Sequence, residues 1–228
     1  MRKKLFLIIP IFAVIVLWVV FCFPYIGKGF IPFPSNYLVT FFPPWNTSYG
    51  MPVKNNAMPD VITQIVPWKN ITIESLKLGQ IPLWNPYSFA GSAHAANYQS
   101  AVFSPLNTLF FLLPFIDAWS VLVLLQPLLA GVGMYLFITS LGRSKSAAAL
   151  SAISFMFCGF MTTWMAYGTL GYAALCLPYA LWAVTSYMKK NKWWYLVALA
   201  ASLALSFVSG HFQISLYVTG GVFAYILF

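Results

Sequence analysis

The chain has 228 residues, of which 61% are hydrophobic and only 7% charged, and its mean hydropathy is +0.82. That balance excludes an ordinary charged, solvated surface and is the composition of an integral membrane protein. The net charge of +9 comes from short Lys/Arg clusters between apolar runs, which is a topology pattern and not a nucleic-acid surface.

The basic "MRKK" leads into the apolar run Leu5–Phe23, longer than the core of a signal peptide and without a small-residue cleavage site. It reads as a first, uncleaved transmembrane helix. Pro24–Asp117 follows as a long loop, within which "PDVITQIVPWKNITIESLKLG" has the makings of two short helices. Asp60 is placed to cap the first, and Lys69–Leu78 forms a second that stops at Gly79. Phe103–Phe115, "FSPLNTLFFLLPF", is too short to span and is bracketed by Pro105 and Pro114, so it reads as an interfacial or re-entrant helix.

Further spans are expected at Ala118–Leu141, Ser146–Ala166, Leu170–Met188, Trp193–Ser209 and His211–Phe228, with Asp117 capping the first of them. The fold class is therefore all-α and polytopic, with about six transmembrane helices and a long first loop. Its layout is one membrane domain over 1–228, with the first helix at 5–23, the loop at 24–117 and the later helices at 118–228. With six spans, the clusters Arg2–Lys4, Arg143/Lys145 and Lys189/Lys190/Lys192 share one face. The positive-inside rule puts that face, and both ends of the chain, in the cytoplasm of a bacterial plasma membrane. The unpunctuated end "AYILF" leads us to expect a fragment of a longer chain.

The three acids, Asp60, Glu74 and Asp117, and both histidines, His94 and His211, then fall on the outer face. Asp60 is open between a cap and a catalytic or metal-binding role, Glu74 suits a surface pair with Lys77, and His211 suits a structural hydrogen bond. Cys22, Cys158 and Cys176 lie in or beside apolar runs and read as small buried hydrophobes. No phosphate loop, HExxH, GxSxG or His/Cys metal cluster occurs.

The segments "PDVITQIVPW", "GQIPLWNPYSFAG", "ANYQSAVFSPLN" and "SGHFQISLY", in this order among apolar helices, resemble the YfhO-like family of bacterial membrane proteins, placed in the C-type glycosyltransferase superfamily. The chain departs from the family pattern at Phe212 and at Ser92–Ala93. The resemblance implies transfer of a sugar from a polyprenyl-phosphate carrier to an acceptor in the cell envelope. It assigns Asp60 as the base or as a ligand to a divalent cation such as Mg or Mn, with Gln64 one turn later orienting it. Lys54, Lys69, Lys77 and His94 are the implied phosphate contacts, with a loop hydrogen bond the other reading of His94, and Trp84, Asn85 and Tyr87 are the sugar platform. Gln99, His211 and Gln213 complete the implied substrate site. The partners are then the bilayer, the lipid-linked donor and the glycan acceptor, and not nucleic acid. The alternative is a non-catalytic scaffold or transporter for envelope precursors.

Overall fold

The computed structural model describes residues 2–52 and 58–228 and is almost wholly helical. The order is α1 (Arg2–Ile26), α2 (Asn36–Phe41), α3 (Trp45–Tyr49), a π-helical turn (Val61–Ile65) and α4 (Val66–Lys77). A two-residue antiparallel pair follows, β1 (Trp84–Asn85) with β2 (Ser92–Ala93), in which Trp84 faces Ala93. Then come α5 (Leu109–Leu112), α6 (Phe115–Ser140), α7 (Lys145–Met156), α8 (Gly159–Trp164), α9 (Leu170–Lys190), α10 (Trp194–Val208) and α11 (Phe212–Leu227).

Helix α6 is the axis of the packing. Tyr172 and Tyr179, two turns apart on α9, donate to the carbonyls of Leu122 and Leu129 at 2.7 and 2.8 Å. The constant offset makes α6 and α9 run parallel. The main core lies where these helices meet the π-helical turn and α4, around Val61, Ile65, Ile73, Phe110, Trp119 and Leu122. A second cluster joins α1 to α7, with Val14 against Ala149, Ala152 and Met156. A third, Ala180, Val184 and Val222, seats α11 on α9. The π-helical turn has a local cause. Pro67 sits in the first turn of α4 and cannot donate to the carbonyl one turn back, so the preceding turn widens.

The six-span expectation is corrected here. A helix that crosses a bilayer needs about 20 apolar residues. Among the described residues, only α6 is long and apolar enough, with a second span at most if Lys145–Met156 and Gly159–Tyr167, bent by 42°, are counted as one. Counted over the residues whose side chains are described, the other apolar helices are shorter, at Pro10–Ile26, Trp194–Val208 and Phe212–Leu227. Helix α9 is longer, but Tyr172, Pro178, Thr185, Ser186 and its terminal Lys189 and Lys190 dilute its apolar character. The polytopic fold class, the multi-pass plasma-membrane localisation and the inside/outside assignment all required six spans, and they fall together.

Smaller expectations are also revised. Asp117 lies in the first turn of α6, but Pro114 occupies the cap position and no side chain caps it. The segment 103–115 is a 3-10 turn at Pro105–Thr108 followed by the single turn α5. Gly79 does follow the end of α4, with φ at +72° in the left-handed region that terminates helices.

Candidate functional site

Asp60 precedes the π-helical turn in helical conformation (φ −55°, ψ −30°), and its side chain makes no cap bond. Its carboxylate instead accepts from Gln64 Nε2 at 3.3 Å and, at 3.5 Å, from the Tyr167 hydroxyl beyond α8. Among the described residues no ion pair reaches it, since the one salt bridge there is Glu74–Lys77 at 3.9 Å.

Lys69 and His94 do come together, below the surface. Lys69, 5% exposed, donates from Nζ to Asn107 Oδ1 at 2.7 Å and lies 6.0 Å from the Phe110 ring centroid. The Asn107 amide in turn donates to the carbonyls of Ala101 and Val102, both at 2.9 Å. One turn further along α4, the Thr72 hydroxyl meets His94 Nε2 at 2.9 Å. Burial pushes the Lys69 amine down from 10.5 to about 8. Burial, aided by the Lys69 charge, also lowers His94 from its ordinary value. Both polar groups thus bind the 79–113 segment to α4 and are turned away from any incoming phosphate.

The "PLWNPY" turn is held internally as well. Buried Asn85 accepts the Tyr87 N–H at 2.9 Å, while Trp84 and Tyr87 remain exposed. Gly91, at φ +113°, lies under the Trp84 indole, where a Cβ would come within 2.3 Å. Gln99 is half-buried beside Ser100, whose hydroxyl donates to the Asn97 carbonyl at 2.7 Å. His211 starts α11 and accepts the Ile214 N–H on Nδ1 at 3.4 Å, and exposed Gln213 donates to the Tyr217 hydroxyl at 2.6 Å. Lys54 lies outside the described residues. The residues named from the sequence therefore fall in separate sets: Asp60 with Gln64, Lys69 and His94 beneath the surface, Trp84, Asn85 and Tyr87 in their own turn, and His211 with Gln213 at the start of α11. No described bond links them.

An open space lies elsewhere, between α1 and α6. Gly131 of α6 lets Met156 of α7 approach, where a Cβ would sit 2.3 Å from the Met156 Sδ, and α1 packs through Val14 on the cluster that contains Met156. Seated on α7, α1 leaves a cleft along α6. Its mouth is a cavity of about 480 Å³ lined by Tyr25, Ile26, Asp117, Ser120 and Leu124. Deeper, Ile11, Val14, Ile15, Leu128 and Val132 line a second cavity of about 490 Å³, with no charged residue among its described liners. Trp18 lines both, and its indole N–H donates across the cleft to the Leu124 carbonyl at 2.8 Å. Among the described residues, Asp117 is the one charged liner of the mouth. The sequence offered weak signals for this site: a Trp inside an apolar run, and a lone acid ahead of another.

Comparison of the chain with family models, with curated proteins and with solved structures gives no match. The function implied by the resemblance is corrected accordingly. A polytopic glycosyltransferase, or a multi-span scaffold or transporter in its place, requires six spans, and the described residues hold one candidate, or two at most. The divalent-cation role lacks a ligand set, because no three His, Cys, Asp or Glu side chains among the described residues are grouped to hold a metal. Of the implied phosphate contacts, Lys69 and His94 are buried and bonded to Asn107 and Thr72, while Lys77 is exposed and pairs with Glu74. The bilayer and glycan partners rested on the same assignment.

Proposed function

We propose that the protein binds an elongated aliphatic amphiphile, with its chain in the α1–α6 cleft and an amine or hydroxyl head at Asp117. The observation that carries this reading is the cleft itself, an apolar trough with one polar end, which is the usual make-up of a small-molecule site. The head chemistry follows from charge. Asp117 already complements the positive N-terminus of α6, so a second anion at the mouth meets like charge with no basic side chain among the described liners to offset it. Ser120 lies one turn deeper on the same face. Its hydroxyl donates to the Ile116 carbonyl at 2.8 Å, which leaves its oxygen as an acceptor.

The test is photolabelling with a long-chain alkylamine that carries a diazirine. Labelled peptides should map to the α1 and α6 linings, and Val121→Trp, which fills the mouth cavity from a 38% exposed position, should cut labelling at least about tenfold. Labelling spread over the exposed faces of α10 and α11, unchanged by Val121→Trp, would remove the reading.

A further inference from the structure

The Trp18 indole does more than line the cleft. A side chain anchored on α1 whose N–H reaches a carbonyl of α6 has to cross the space between the two helices. It crosses at Leu124, where the mouth cavity ends and the deeper one begins. Along α6, Asp117 to Leu124 is about 10 Å by helical rise, and Leu124 to Tyr135 a further ~16 Å. The bond is well made at 2.8 Å, and Trp18 also packs on the α1–α7 cluster around Val14, so the ring is held from two sides. We infer that Trp18 is a partition that sets the length of chain the cleft accepts, limiting the ligand to the stretch between Asp117 and Leu124. This rests on the amphiphile reading above and adds a specificity-determining residue to it.

The consequence is a break in chain-length dependence. Each methylene that enters the mouth cavity should tighten binding by about fourfold, the ordinary gain for one buried CH₂. Methylenes beyond Trp18 find the way closed and gain nothing. The experiment titrates straight-chain primary amines from hexyl to octadecyl, each kept below the concentration at which it self-associates, against the intact protein, Trp18→Phe and Trp18→Leu. In the wild type, affinity should climb and then level off once the chain spans the mouth. Trp18→Leu should move the levelling point several carbons longer. Trp18→Phe keeps most of the ring while losing the bond to Leu124, and it should leave the break near its original place. It also serves as the folded control if Trp18→Leu is poorly behaved.

A wild-type series that rises without a break to octadecyl overturns the partition while leaving the cleft as a binding site. So does an identical break in all three proteins. If no amine of any length binds, the site and the partition fall together.

Discussion

At the residue scale, the buried pair of titratable groups gives the clearest expectation. Lys69 has no described carboxylate partner, so it carries its charge into the interior against Asn107 and the Phe110 ring alone. Its folded value of about 8 lies below the ordinary 10.5, so between these limits the unfolded chain holds more protons than the folded one. Stability therefore rises with pH from about 8 to about 10.5, by an amount on the order of 3 kcal/mol. His94 has the same sign at acid pH. Its lowered value means that stability falls as pH drops through 6.5, when the opened segment takes up a proton that the folded one resists. Urea unfolding of the wild type should show both slopes. Lys69→Met should flatten the alkaline limb, and His94→Gln the acid one. None of this was legible in the sequence, where Lys69 and His94 were read as surface phosphate contacts. The partners that bury them, Asn107 and Thr72, lie 38 and 22 residues away, and no local pattern announces such pairings.

At the scale of elements, local signals carried further. The apolar run Ala118–Leu141 became α6 at Phe115–Ser140, and the helix before Gly79 became α4. The run expected at Ser146–Ala166 broke at Phe157 and Cys158 into α7 and α8. Apolar periodicity reports that a segment is helical, but not whether it runs straight across one thickness of membrane. How the helices meet was also hidden, because a glycine inside an apolar run looks the same whatever it faces. Gly131 is such a case. Gly131→Ala should push Met156 off α6 and loosen the α1–α7 seat, costing about 1–3 kcal/mol in the manner of other overpacked contacts. Thermal unfolding would register that loss. Combining it with Met156→Ala should cost less than the sum of the two single changes, since the added methyl enters the space the thioether vacates.

For the whole molecule, composition proved a poor guide to architecture. Helices α10 and α11 leave Leu196, Val197, Leu205, Leu216, Tyr217 and Phe223 exposed, so a high mean hydropathy coexists with one or two candidate spans. Composition counts apolar residues without saying whether they line a bilayer, a core or a ligand cleft. The cleft is a product of three helices meeting, α7 holding α1 away from α6, and it appears only when all three are in place. Its occupancy can be read directly from Trp18, which borders both cavities. An alkylamine with bromine on its terminal carbon, of a length that fills the mouth, quenches an indole only on contact. The chain has nine tryptophans, and the difference between wild type and Trp18→Phe isolates the Trp18 contribution. The account predicts quenching of that component that saturates, is reversed by the unbrominated amine, and is not reversed by the alkyl phosphate of equal length. Quenching that is the same in Trp18→Phe, or that rises without saturating, would contradict it.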